Sequence, residues 1–175
     1  MKIHLVVALV GLAIGFAAPA FAQQKDAADP QIRQQIDALT KKWIDATDNN
    51  DAAALAALFT EDAVMVTDTA GPIYGREAIE KYWADAFKQF HFSNHVSKDD
   101  QFSPHIIGTA GNEVWRNAEW SSTLQGQNGG PIQLKGYWAG IEVREGDGWK
   151  KRMLIWNITP APAATPSPTT TPSNQ

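Results

Sequence analysis

The sequence contains no cysteine, and this absence removes several classes of site at once. Disulfide bonds, thiol nucleophiles, zinc ribbons and iron–sulfur clusters all need cysteine. This absence excludes most metal and redox sites, and we expect no metal site and no cofactor. We also expect a fold that does not depend on an oxidising compartment.

Charge is also scarce, and neither sign dominates. Lys and Arg number 15 against 19 Asp and Glu, which gives a formal net charge of −4. No run of basic residues offers a surface for phosphates or anionic lipids. We therefore expect no nucleic-acid partner.

Long apolar runs are confined to the first residues. Lys2 precedes the apolar stretch 5–18, which is followed by the small-x-small pattern of residues 20–22. The stretch is shorter than the roughly 20 residues that span a bilayer. It predicts a signal peptide over 1–22, cleaved between Ala22 and Gln23, with an uncleaved anchor as the alternative. The mature protein is then expected in the periplasm or secreted, without a membrane partner after cleavage.

The other end of the chain lacks charge and large apolar residues. Residues 159–175 hold five of the ten prolines and many threonines. Such a segment cannot bury enough surface to offset its ordering entropy, so we expect a disordered Pro/Thr-rich tail. These two ends leave residues 23–158 for one domain.

Helical periodicity fills the first half of that domain. Asp29 and Pro30 form a helix start, and the spacing of the next apolar residues predicts one helical face. A short second helix is predicted from Asp51, a strand over 63–67 and a turn at Gly71 and Pro72. A third helix follows, with an apolar stripe of Ile79, Tyr82, Trp83, Ala86 and Phe90.

After Phe90 the apolar pattern becomes that of strands. Segments near 90–99, 104–108, 113–124, 132–145 and 149–158 are separated by glycine-containing turns. Helices first and an antiparallel meander afterwards predict an α+β domain, in which three N-terminal helices pack on a curved, mainly antiparallel sheet. Strands of this length must twist, so the two layers enclose a cone-shaped space.

Short segments follow one another in an ordered series: 43–46, 50–51, 57–64, 75–79, 135–138, 148–150 and 156–157. This series resembles the SnoaL-like and ketosteroid-isomerase-like branch of the nuclear transport factor two-like superfamily. The resemblance implies a cone-shaped α+β barrel, commonly dimeric, with a pocket between helices and sheet. It does not imply one activity, because the fold serves isomerases, cyclases, dehydratases and binding domains.

The catalytic pattern of ketosteroid isomerases matches poorly. The resemblance places Trp43 where those enzymes have a tyrosine donor, Asp68 within one residue of their general base, and Ala139 where they have a protonated aspartate. The indole N–H of Trp43 can donate a hydrogen bond but cannot act as an acid. The side chain of Ala139 can neither donate a hydrogen bond nor act as an acid. Steroid isomerisation as such is therefore not expected.

Two residues are candidates for proton transfer. Asp68 follows the strand of residues 63–67 at the expected mouth of the pocket, with a solvated turn residue as the alternative. His91 and His95 are four residues apart, about 13 Å in a strand, which is too far to share a metal ion. A single proton-transferring histidine in the pocket, with His95 as the candidate, is favoured over a metal pair, and a surface position is favoured over both.

Aromatic residues suggest a lined cavity. The candidates are Trp43, Phe59, Tyr82, Trp83, Trp120 and Trp138. They would bind a flat apolar ligand, with an ordinary core as the alternative. Trp120 shares its strand face with Val114 and Ala118, whereas Trp115 and Glu119 lie on the other face. If that other face lines the pocket, Glu119 becomes a candidate base.

Two functions remain open at this point. The favoured one is an exported small-molecule-binding or interaction domain with an apolar, aromatic-lined pocket. The alternative is a cofactor-independent acid/base enzyme, of isomerase, cyclase or dehydratase type, acting on a small carbonyl compound. A second sheet face carrying Trp115, Tyr137, Ile141, Leu154 and Trp156 predicts a homodimer through the sheet.

Overall fold

The computed structural model describes residues 28–127 and 129–160. The predicted signal peptide, its cleavage site at Ala22 and Gln23, and the tail beyond Pro160 lie outside the described residues. Within the described ranges, no helix is long and apolar enough to cross a membrane.

Helix α1 spans Pro30–Asp48 and begins as the sequence predicts. The Asp29 carboxylate accepts a hydrogen bond from the backbone N–H of Gln31 at 2.8 Å, and Pro30 occupies the first turn. The helix ends before Asn50, whose positive φ of 53° turns the chain. Helix α2, Ala52–Ala56, follows directly and is capped by the side chain of Asp51.

Helix α3 spans Arg76–Gln89 and buries Ile79 and Trp83. Its N-terminal boundary is Gly75, with a φ of 85° that favours glycine. Phe90, predicted as the last apolar residue of this helix, instead begins the next strand.

In the part of the chain that the structure describes, seven strands form one sheet. They are β1 (Phe59–Thr67), β2 (Gly71–Tyr74), β3 (Phe90–Lys98), β4 (Ile107–Ala110), β5 (Glu113–Gly126), β6 (Ile132–Glu145) and β7 (Gly148–Trp156). The order is β2-β1-β7-β6-β5-β3, with β4 also paired to β5. Strands β1 and β7 run parallel and the other pairs are antiparallel. The predicted α+β class, with three helices and a mostly antiparallel curved sheet, is confirmed, and the sheet is open rather than closed.

The predicted turn at Gly71 and Pro72 is wrong. Both residues belong to β2 and pair with β1, so that Thr67 lies opposite Gly71. The turn is formed by residues 68–70. Proline is compatible with this position because β2 is an edge strand.

β-Bulges in β3 and in β7 interrupt the alternation of inward and outward side chains. In β3 the register with β5 shifts between Ser93 and Val96, where Asn94 has a φ of 52°. In β7 the register with β6 shifts so that Arg152 is an extra residue between Lys151 and Met153. Each bulge moves the following residues to the opposite face.

The bulge in β7 corrects one prediction. Leu154 and Trp156 were expected on the outer face of the sheet. Leu154 is only 3% exposed and belongs to the main core, against which Trp156 packs. Because Arg152 adds one residue, these side chains face the helices.

The core consists of two clusters beneath the helices. The larger surrounds Phe59, Met65, Ile79 and Trp83, and the smaller joins α1 to Val114 and Trp149. A cavity opens beside the larger cluster.

Candidate functional site

A cavity of about 280 Å³ lies between helices α1 and α3 and the inner face of the sheet. Its walls are mainly aromatic. The rings belong to Trp43, Tyr82, Trp83, Phe90, Phe92, Trp120, Trp138 and Trp156. Large apolar walls with few polar groups are typical of sites for small apolar ligands.

Most of the predicted aromatic residues meet in this wall. The structure brings Trp43, Tyr82, Trp83, Trp120 and Trp138 together around the cavity. Phe59 is not in the wall. It is fully buried behind Trp43, which it contacts edge-on at 5.9 Å between ring centroids.

Trp83 holds the wall together. It packs edge-on against Trp43 at 5.8 Å and stacks on Trp156 at 6.2 Å with an interplanar angle of 24°. Phe92 adds a further edge contact at 6.1 Å. These contacts hold the rings of the wall in place by packing.

The bulge in β3 turns His95 toward the cavity. Phe92 and His95 both line it although their spacing is odd, which an unbroken strand would not allow. The imidazole stacks on Trp120 with ring centroids 6.0 Å apart and 16° between the planes. The backbone N–H of His95 donates to the Asp48 carboxylate at 2.8 Å, which holds the bulge against the end of α1.

Burial lowers the pKa of His95 from its ordinary 6.5 to about 4, and the nearby Asp48 carboxylate opposes this only in part. The imidazole is therefore neutral at pH 7. Its Nδ1 is enclosed and has no hydrogen-bond partner among the described residues.

Asp68 is not among the residues that line the cavity. Its carboxylate accepts a hydrogen bond from the backbone N–H of Ile158 at 2.8 Å. Ile158 itself lines the cavity. Asp68 thus holds the segment that follows β7 at the edge of the cavity.

The other candidate acid/base and metal residues lie elsewhere. His91 Nδ1 is 2.9 Å from the Asn50 side-chain nitrogen, and His105 is exposed against the edge of Trp115. Glu119 pairs with Lys98 at 3.5 Å on the outer face. Across residues 28–127 and 129–160, no group of three or more His, Asp or Glu residues could hold a metal ion.

A buried ion pair at the cavity was missed by the sequence analysis. Lys151 lines the cavity, and its Nζ donates to Glu142 Oε1 at 3.0 Å. Lys151 is 3% exposed and Glu142 is 1% exposed. The Lys151 Nζ also lies 4.7 Å from the ring centroid of Trp138 and 5.6 Å from that of Trp43. These distances are those of cation–π contacts.

The sequence did contain a signal for this pair. Gly146 and Asp147 form the turn between β6 and β7, and counting back from it places Glu142 opposite Lys151. Glu142 also has the inward parity of Trp138. A glutamate on the buried face of a strand requires a partner, and Lys151 is the residue opposite it.

The remaining polar lining consists of hydroxyl groups. Ser97, two residues after His95 on the same face of β3, accepts a hydrogen bond from Trp138 Nε1 at 2.9 Å. Thr40 and Thr47 donate to backbone carbonyls of α1. None of the Asp and Glu residues within 28–127 and 129–160 lines the cavity.

The position that the ketosteroid-isomerase pattern assigns to a protonated aspartate does not face the cavity. Ala139 is exposed on the outer side of β6, between the inward-facing Trp138 and Gly140. Trp43, at the position of the tyrosine donor, does line the cavity. The described residues at these positions therefore do not form the catalytic arrangement of the ketosteroid isomerases.

Comparison with known proteins agrees with this architecture. The model of the SnoaL-like domain family matches residues 40–149, more than half of the chain. No curated protein matches.

Solved structures share the fold at low identity. A ketosteroid isomerase-like protein from Erwinia carotovora atroseptica is 12% identical with a TM-score of 0.66, over 76% of this chain and 100% of that one. A nuclear transport factor 2-like superfamily protein from Salmonella enterica is 17% identical with a TM-score of 0.64, over 80% and 99%. A candidate scytalone dehydratase from Novosphingobium aromaticivorans is 19% identical with a TM-score of 0.57, over 74% and 85%.

At these identities the similarity concerns the fold and not the substrate. The family match and the shared fold agree with the helix order and the sheet. The chain belongs to the SnoaL-like domain family, and it shares its fold with a nuclear transport factor 2-like protein of known structure.

Proposed function

We propose that this protein is a small-molecule-binding domain whose cavity takes a flat, mainly apolar ligand. The observation that carries the proposal is the aromatic wall around about 280 Å³ of space, held in place by Trp83. Burying a ring system against such walls provides binding free energy without directional chemistry.

The chemistry of the cavity favours binding over catalysis. A general base works best when its pKa lies near the working pH. Burial holds the pKa of His95 at about 4, which makes it a weak base at neutral pH. Asp68 is engaged with Ile158 outside the lining.

A second candidate function is supported by His95 alone. A neutral imidazole in an apolar cavity could accept a proton from a bound carbonyl compound if the ligand brought a charge that stabilised the imidazolium. The protein would then be a cofactor-independent acid/base enzyme of the isomerase, cyclase or dehydratase type.

The binding proposal is tested by removing part of the wall. Thermal-shift screening of flat aromatic compounds provides a ligand, and tryptophan fluorescence gives its Kd. Trp83→Ala should weaken binding about 10- to 100-fold, the scale of losing a large buried ring at a binding site. Trp115→Ala makes the same change on the outer face and should leave Kd unchanged. Equal affinity of the Trp83→Ala variant and the wild type would contradict the proposal.

Proton exchange separates the two candidate functions. If His95 is a base, NMR should show solvent deuterium entering a bound ketone next to its carbonyl in the wild type but not in His95→Phe. If the protein only binds, neither protein should catalyse exchange. Catalysed exchange would replace the binding function with the enzymatic one.

We further propose that the protein is exported to the periplasm or secreted. The support is the sequence of residues 1–22, with its short apolar run and the cleavage pattern before Gln23. N-terminal sequencing of the exported protein should begin at or near Gln23, and recovery of an intact Met1 would contradict export by cleavage.

A further inference from the structure

We propose that the ligand of this cavity is an aromatic anion, a flat ring system with one carboxylate that lies against Lys151. The inference rests on the proposed binding function and names the chemical class of the ligand. The charge of Lys151 in the cavity wall favours an anion, whereas the apolar rings carry the binding proposal.

Among the described residues, Lys151 is the one charged residue in the lining. The other polar side chains of these lining residues are hydroxyl groups and the neutral His95, and none of the described lining residues is Asp or Glu. A cation that is 3% exposed is screened little by solvent, so its field extends into the cavity. A ligand carboxylate in the cavity is therefore attracted by Lys151 and is not repelled by a carboxylate among the described lining residues.

Glu142 offsets this attraction only in part, because the two charges form a dipole whose positive end, Lys151, is the one that lines the cavity. Glu142 does not line the cavity, so it contacts Lys151 from the protein side. An ammonium group has three N–H donors, and the described residues provide one oxygen acceptor, Glu142 Oε1 at 3.0 Å. The other near neighbours of Nζ are the faces of Trp43 and Trp138. A ligand carboxylate would provide oxygen acceptors for the remaining N–H groups of Lys151.

Ser97 places a second donor beside the same tryptophan. Its Oγ accepts the Trp138 indole N–H at 2.9 Å, and its own proton has no acceptor among the described residues. Trp138 therefore has a hydroxyl donor at its edge and the Lys151 ammonium over its face. A carboxylate has two oxygens and can use two donors.

The test compares two compounds of similar shape, 2-naphthoate and 2-acetylnaphthalene, by tryptophan fluorescence at pH 7.5. The first carries a carboxylate and the second a neutral methyl ketone on the same rings. We expect wild-type protein to bind 2-naphthoate at least about tenfold more tightly, since hydrogen bonds between charged groups are the stronger ones. Lys151→Met should abolish this preference.

Lys135→Met is the matched control. Lys135 is exposed on the outer face of the same sheet, and its loss changes net charge equally. This variant should keep the wild-type preference. Because Lys151→Met leaves Glu142 buried without its partner, the double variant Glu142→Leu/Lys151→Met removes both charges and should show the same loss of preference.

The outcomes separate the two proposals. Equal binding of both compounds by wild type, tighter binding of the ketone, or a preference that persists in the double variant would overturn the aromatic-anion inference and leave apolar binding standing. If neither compound binds the wild type, both proposals fail. The inference is supported if the preference for 2-naphthoate is lost in Lys151→Met and in the double variant and is kept in Lys135→Met.

Discussion

Burial of His95 makes the stability of the domain depend on pH. Its pKa is about 4 in the folded protein and returns to its ordinary 6.5 when the chain unfolds, because burial disfavours the imidazolium. Below pH 6.5 the unfolded state therefore binds more protons than the folded state. Stability attributable to His95 is complete above pH 6.5 and is lost as the pH falls toward 4.

This loss can be measured by comparing urea unfolding at pH 7.0 and 4.5. The free energy of unfolding of the wild type should fall by about 2 kcal/mol more than that of His95→Phe, which keeps a flat ring on Trp120. His105→Phe alters an exposed ring and should behave as the wild type does. Asp85, whose pKa is held at about 2 by hydrogen bonds from Lys81 and Lys88, titrates below this window. The same loss in His95→Phe would show that His95 is not the group involved.

The pair of Lys151 and Glu142 shows why a buried charge calls for a functional explanation. Removing two charges from water costs more free energy than their attraction commonly returns, so an apolar pair of the same volume would often stabilise the domain equally well. One Glu142 oxygen, Oε2, is enclosed without a partner among the described residues, so the pair is not fully satisfied. A charge presented to a ligand explains the pair better than stability does.

At the scale of elements, the sequence predicted the type and extent of most helices and strands. Strand β6 was predicted at residues 132–145 and is observed there, because alternation and a glycine-containing turn define it. The helix start at Asp29 and Pro30 was equally clear. Local signals of this kind depend on neighbouring residues alone.

The two bulges could not be predicted from the same signals. Neither Asn94 nor Arg152 is a glycine, and an extra residue in a strand becomes visible only against its partner strand. Each bulge nevertheless decides which side chains reach the cavity, His95 after one and Trp156 after the other. From the sequence, most of the aromatic wall and His95 were named as candidates, but Lys151 and Glu142 were missed, although the register of the β6–β7 hairpin places these two residues opposite each other.

The close approach of β6 to the segment after β7 leads to a prediction at Gly136. A Cβ built on Gly136 would lie 1.8 Å from the backbone oxygen of Asn157 and 2.8 Å from Trp120 Nε1. That oxygen accepts the Trp120 indole N–H at 3.1 Å. Gly136→Ala should displace Asn157, break this hydrogen bond and destabilise the domain by about 2 kcal/mol, within the range for overpacking.

Denaturant unfolding measures this effect, with Gly148→Ala as control. Gly148 also lies in a strand of the sheet, but an added Cβ there meets nothing within 4 Å. Its replacement should change stability by less than about 0.5 kcal/mol. Comparable effects of the two substitutions would show that the contact with Asn157 is not what requires glycine at position 136.

At the scale of the whole molecule, the helices cover one face of the sheet and leave apolar residues on the other. Val96 is 48% exposed, Tyr137 49% and Ile155 46%, and each lies on the outer side of its strand. Exposed apolar residues grouped on one sheet face commonly mark an interface between proteins. We propose that a second copy of this chain covers this face, which makes the protein a homodimer.

Sedimentation velocity at micromolar concentration should give a dimer for the wild type. Tyr137→Glu places a charge in the middle of the outer face and should give a monomer, because an interface tolerates an unpaired buried charge poorly. Phe102→Glu is the control, since Phe102 is 93% exposed in the loop between β3 and β4. It should remain dimeric. A wild type that sediments as a monomer would contradict the dimer proposal.

The cavity opens on the opposite side of the sheet, so Tyr137→Glu should bind 2-naphthoate as the wild type does. A variant that dissociates and also loses binding would mean that the partner completes the cavity.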